Sequence, residues 1–176
     1  MPVDPGLYFQ LTTDELREVT RFALASAEEA VALLDAPVDP RIMAAIEAAK
    51  LFAAGDPRSK LQRVAAVEAQ RAAKEMHATV ASHAASAAGD AAASAYLHPF
   101  AKGDQVAHIL RSSAHAALAA EAAAGDPAAA GTALTRARTR ATPTLLAVLN
   151  RYPAFPRGRS RVKQLVSDLD LALREQ

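Results

Sequence analysis

Five histidines fall between His77 and His115, in a chain where alanine fills 46 of 176 positions and leaves few other side chains able to do chemistry. Imidazole can ligate a metal, carry a proton or present a polar face to a partner, so this cluster is where a site would be sought. Metal ligation wants donors about one helical turn apart, joined by a carboxylate or thiolate. His77 and His83 are six residues apart and His108 and His115 seven, and cysteine is absent, so neither a metal site nor a cofactor is expected. Ser82, Ser86, Ser94, Ser112 and Ser113 lie near these histidines, yet a serine inside an alanine-rich helix is ordinarily a small-residue packing choice. The sequence holds no Gly-x-Ser-x-Gly elbow, phosphate-cradling loop or Glu-x-x-His pair, and the expectation is a binding protein and not an enzyme. His98 sits in Tyr96-Leu97-His98-Pro99-Phe100, where two aromatics, a histidine and a proline meet. Tyr96, His98, Gln105, His108 and His115 are therefore the candidate binding residues. They would form a partner surface or a histidine-lined ligand pocket.

Charge offers a second candidate. Residues 1–50 hold nine acids and four bases, whereas residues 136–163 hold eight bases (Arg136, Arg138, Arg140, Arg151, Arg157, Arg159, Arg161, Lys163) and no acid. Such a block can bind phosphate backbones or an acidic protein surface. Against nucleic acid, Arg136, Arg138 and Arg140 are expected to point in different directions, and no aromatics interleave with them. The competing reading packs the basic tail against the acidic first helix. Arg157, Arg159 and Arg161, in the turn before the last helix, are the basic-patch candidates.

Helices must position all of these groups, because alanine loses no side-chain entropy on entering a helix and tops the propensity scale. Gly55-Asp56-Pro57, Gly89-Asp90, Gly103-Asp104 and Gly125-Asp126-Pro127 read as junctions where glycine closes one helix and aspartate and proline open the next. Helices are predicted from Thr12 or Thr13 to about Leu34, from Asp39-Pro40 to Ala54, and from Arg58 or Ser59 onward. The third would run about 46 Å unbroken to Ala88, so a break is expected between Lys74 and Thr79, with a fourth helix from about His77 to Leu97. Further helices are predicted at Asp104 to Ala124, Pro127 to about Arg140, Thr142-Pro143 to Arg151, and after Ser160. On the Asp104 helix, Val106, Ile109, Leu110, Ser113 and Ala117 share one face, and His108 and His115 point away from it. The expected fold is all-α: a single compact multi-helix bundle of seven or eight antiparallel helices over 1–176, with a solenoid-like arrangement as the alternative. An extended N-terminal arm (1–11) and a Pro/Arg-rich turn (152–159) flank the helices. No window reaches the ~18 apolar residues a membrane span needs, and Met1–Gln10 lacks a signal-peptide pattern, so a cytoplasmic protein with no membrane partner is expected.

Asp39-Pro40-Arg41, Ala45-Ile46-Glu47-Ala48-Ala49, Ala53-Ala54-Gly55, Ala95-Tyr96-Leu97-His98-Pro99-Phe100-Ala101 and Gln105-Val106-Ala107-His108-Ile109-Leu110 together resemble a family of small bacterial alanine-rich helical immunity proteins. The resemblance spans about Asp39 to Glu121 and extends more loosely through Arg151-Tyr152-Pro153. Relatives tend to have histidine after glycine in the helix leading to this motif, where this chain has Gly89-Asp90. Some relatives carry an SbcC-type exonuclease label, but an ATPase of that kind needs a lysine-bearing phosphate loop that seven glycines, none so arranged, do not supply. What the resemblance implies is a protein that binds and neutralises a cognate toxin domain by protein–protein contact. Nucleic-acid binding through 136–163, and a ligand-binding or enzymatic role for the histidines, are the alternatives.

Overall fold

The computed structural model describes residues 5–77 and 79–176; the start of the N-terminal arm and Ala78 lie outside them. Local signals account for where the helices begin. Helix α1 (Thr13–Val31) opens with a full capping box, in which the Thr12 hydroxyl accepts from the Glu15 amide and the Glu15 carboxylate accepts from the Thr12 amide. Asp39 caps α2 (Pro40–Ala54), whose first residue is a proline with no amide hydrogen to leave unpaired. Ser59 caps α3 (Lys60–Glu75) and Thr79 caps α4 (Val80–Ala93). After a 3-10 turn at Gly103–Gln105 come α5 (Val106–Ala124), α6 (Ala128–Thr139), α7 (Pro143–Leu149) and α8 (Arg161–Arg174), the last two capped by Thr142 and Ser160. The described residues thus form an all-α bundle of eight helices.

The break expected between Lys74 and Thr79 is present. Met76 ends α3, and His77 takes a left-handed backbone conformation (φ 47°) that no helix can continue through. Gly89-Asp90 accordingly lies inside α4, which is shorter than predicted. Its last residues tighten into a 3-10 turn at Ser94–Tyr96. The arm is not wholly extended: Pro5–Leu7 is a 3-10 turn, and Tyr8 pairs with Phe100 in a single antiparallel bridge.

The interior has two parts of different character. The second half of α1, together with α2, α3, α4 and part of α5, encloses a core in which every buried apolar residue except Leu24, Ile42 and Ile46 is alanine. Methyl-lined helices can approach toward the short end of the roughly 8–10 Å range of helix–helix distances. At Gly89 the approach is closer still, since a Cβ there would stand 2.9 Å from Gln70 Nε2 and 3.1 Å from the Ala66 carbonyl oxygen. The other part holds the large side chains. Leu16, Val19 and Phe22 of α1 meet Ile109, Leu110 and Leu118 of α5, and α7 and α8 add Leu145, Leu149, Leu165 and Leu169. Helix α5 belongs to both and packs against α1, α4, α6 and α8.

Buried serines pin the alanine helices to one another. The Ser112 hydroxyl lies 2.8 Å from the Ala23 carbonyl and 2.9 Å from that of Ala87, on two different helices. Ser82 donates to the Ala73 carbonyl, Ser113 pairs with Ser26, and Ser94 pairs with Thr20. These hydroxyls serve the packing, in keeping with the small-residue reading of their sequence positions.

Candidate partner-binding site

Because α5 is covered on several sides, its second face is not a free surface. His108, Arg111 and His115, spaced three and four residues apart, form one stripe that runs beside α4. His108 and His115 lie on the side of α5 opposite Ile109 and Leu110, and that second side is packed as well, against α4. Both are half-buried, and burial lowers the basicity of each.

On α4, His83 and Asp90 stand two turns apart and face this stripe in antiparallel register. Asp90 meets Arg111, whose Nε lies 3.0 Å from each carboxylate oxygen and whose Nη2 lies 2.7 Å from Oδ1. Gln70 of α3 adds a contact of 3.2 Å to Oδ1 and another of 3.2 Å to the Ser86 carbonyl, tying three helices together. All of these groups are donors, so the carboxylate is the form that satisfies them. Asp90 is only 3% exposed. Burial pushes its carboxyl above the usual aspartate range while Arg111 pulls it back.

One turn further along α5, the ring of His115 lies beside that of His83, with centroids 5.6 Å apart and the two Nδ1 atoms 3.4 Å apart. Two nitrogens so close can share only one proton, so one ring donates and the other accepts. His115 Nε2 is 3.9 Å from Asp90 Oδ2. Burial, with His83 and Arg111 adding to it, brings the His115 pKa down to about 3. These histidines are neutral at physiological pH. Among the described residues no group of three or more His, Cys, Asp or Glu side chains could hold a metal ion.

The outer side of the Asp90–Arg111 pair faces a surface groove of about 310 Å³ between α3 and α4, walled by Ala66, Val67 and Gly89 and rimmed by Arg71, Lys74 and Arg111. The sequence reading missed Asp90 and Arg111. Their signal was present: Asp90, set among alanines, is the single carboxylate of α4, and Arg111 is the single strong base of α5. A lone charge on an alanine helix calls for a partner.

The remaining candidates are dispersed. The guanidinium groups of Arg58 (4.9 Å) and Arg63 (4.6 Å) both lie over the Tyr96 ring, whose hydroxyl donates to the Ser59 carbonyl and so joins it to the start of α3. His98 is exposed on its side-chain side while its carbonyl accepts from the Tyr152 hydroxyl at 2.8 Å. Gln105, half-buried, ends the 3-10 turn that leads into α5. Around them the backbone is held by the arm, through Phe9 N–H to the Pro99 carbonyl and Ala101 N–H to the Leu7 carbonyl. The Phe100 ring packs against that of Tyr8 with centroids 5.0 Å apart and planes tilted by 46°.

Half of the basic block is paired with carboxylates. Arg136 and Arg140 are one turn apart and both reach Glu29 of α1, so they share a direction, contrary to expectation. Arg151 holds Glu15, whose pKa falls to about 2 chiefly through that contact, and Arg161 reaches Glu121 at 2.9 Å. Neutralisation by the acidic helix thus accounts for three of the eight bases, and Glu121 of α5 takes a fourth. Arg157 and Arg159 are exposed.

No helix of the described residues is long and apolar enough to cross a membrane. No curated protein and no solved structure matches this chain. The Imm-5 like putative immunity protein family matches residues 10–143, from the start of α1 into α7, and the chain belongs to that family.

Proposed function

We propose that this protein binds a cognate toxin domain and neutralises it by protein–protein contact, without turning over a substrate. The observation that carries this reading is the family match across residues 10–143, which includes all six of the helices α1–α6. Two features support it. The interior serines and the Asp90–Arg111 pair are engaged in joining helices, which makes a rigid scaffold, and pre-organised surfaces lose less entropy on association. The basic block that could have served nucleic acid is half occupied by Glu15, Glu29 and Glu121. The test is co-expression with each candidate toxin domain found in the reading frames that neighbour this one. Growth should be restored, and the two purified proteins should form a stoichiometric complex on size-exclusion chromatography. Failure of both protection and complex formation at micromolar concentrations would remove this reading.

A further inference from the structure

Helix α3 has an outer face that no other element covers. Leu61 is 46% exposed, Val64 58% and Val67 46%, three of the seven large apolar side chains that stand out into solvent among the described residues. The other four, Tyr8, Leu33, Met43 and Leu171, are scattered over the arm, the α1–α2 connection, α2 and α8. At 100° per residue Leu61, Val64 and Val67 fall within about a 120° arc that they share with Lys60 and with the Glu68–Arg71 ion pair, an apolar line flanked at both ends by charge. Leu61, Val64 and Val67 are the exposed large apolar side chains that stand in register on one helix among the described residues.

Charge says what would cover them. From Arg58 to the end of α3 at Glu75 the chain carries five cations (Arg58, Lys60, Arg63, Arg71, Lys74) and two carboxylates, Glu68, which pairs with Arg71, and Glu75, which pairs with Arg41 of α2. Tyr96 holds two of the five, Arg58 and Arg63, against its ring. At the other end Val67, Arg71 and Lys74 border the groove that Arg111 closes, so the apolar line runs into a cationic notch. A protein surface with an apolar centre ringed by aspartate and glutamate complements this arrangement in both shape and sign.

We infer that the α3 face, from Arg58 and Tyr96 to the groove at Arg111, is the docking surface for the toxin domain, and that the toxin presents an acidic surface with an apolar centre to it. The inference rests on the proposed function and adds where contact is made and with what chemistry. Leu61, Val64 and Val67 supply the desolvated centre, where most of an interface's binding energy concentrates. The surrounding cations steer encounter, so association is fast at low salt and slows as salt screens them. A carboxylate of the partner enters the notch between Lys74 and Arg111.

The experiment compares four variants in titrations against the inactivated toxin domain that the co-expression test identifies as the partner: Val64→Asp, the pair Arg71→Glu/Lys74→Glu, and the controls Leu171→Asp and Arg157→Glu on other faces. All alter exposed positions, and circular dichroism melts confirm the fold. Val64→Asp should weaken binding at least tenfold. The charge-reversal pair should slow association at least tenfold at low salt and much less at 0.5 M salt, and both controls should bind as wild type. A wild-type complex insensitive to both α3 changes, or lost in the controls instead, overturns the docking surface while leaving the proposed function standing. A wild-type chain that binds no toxin domain overturns the proposed function, and this inference with it. A parallel titration uses phosphatidylglycerol vesicles. Val64-dependent vesicle binding in place of toxin binding assigns the face to lipid and overturns the protein partner.

Discussion

Asp90 and Arg111 face each other across the α4–α5 interface with three nitrogen–oxygen contacts of 3.0, 3.0 and 2.7 Å, one residue almost wholly buried and the other 39% exposed. The pair therefore has two sides: a carboxylate that must be neutralised inside the protein and a guanidinium that still shows an edge to the groove. Removing either partner is not symmetrical. Arg111→Met leaves a buried carboxylate with only Gln70, and it should lower unfolding free energy by about 3 kcal/mol. The double variant Asp90→Leu/Arg111→Met should lose less than the single, because no charge is stranded. Urea denaturation of both measures this. A single variant as stable as wild type would show that water reaches Asp90.

Acid should weaken the protein before its carboxylates titrate. The His115 pKa is about 3 in the folded protein against 6.5 for an ordinary histidine, with burial the main cause, and the unfolded chain therefore binds more protons between those values. Stability is full above pH 6.5 and falls as pH drops toward 3. The loss should reach about 2 kcal/mol at pH 5 relative to pH 7.5. His83, lowered by burial too, adds in the same direction. In His115→Gln the slope between pH 6.5 and 5 should flatten, and a slope unchanged in that variant would place its origin elsewhere.

Two glycines should respond to alanine with opposite signs. Gly89 faces Gln70 and the Ala66 carbonyl, so a methyl group forces α3 and α4 apart and should cost about 1–3 kcal/mol. Gly131, in the interior of α6, has nothing within 4 Å of its added Cβ and should gain roughly 0.5–1 kcal/mol from helix propensity. Thermal melts of the two variants check both signs.

The arginines of the C-terminal third should divide by partner. Neutralising Arg157, Arg159 and Arg161 together should change stability by less than about 0.5 kcal/mol, since the first two are exposed and the third makes one surface ion pair. Arg140→Gln should cost more, about 1–2 kcal/mol, because its head group lies between Glu29 and the Ser26 hydroxyl, which it reaches at 2.9 Å, and so joins α6 to α1. Equal losses in the two variants would contradict the division.

Several helix starts were legible because N-caps are local: the Thr12–Glu15 box, Asp39-Pro40, Ser59 and Ser160 each satisfy amides within three residues of themselves, whereas α4 lost residues at both of its expected ends. The break near His77 followed from the improbable length of an uninterrupted helix. The site was much less legible. Alanine makes nearly any face of a helix suitable for burial, so the pattern on α5 could not reveal that its histidine side is buried as well as its leucine side. Arg111 and Asp90 are 21 residues apart and Arg140 and Glu29 are 111 apart, and only the packing of antiparallel helices brings them together. Sequence determined that this chain is a set of capped alanine helices carrying a few isolated charges. Tertiary structure decided which charges neutralise one another and which, along α3, remain facing solvent, because pairing depends on distance through space and the sequence records only distance along the chain.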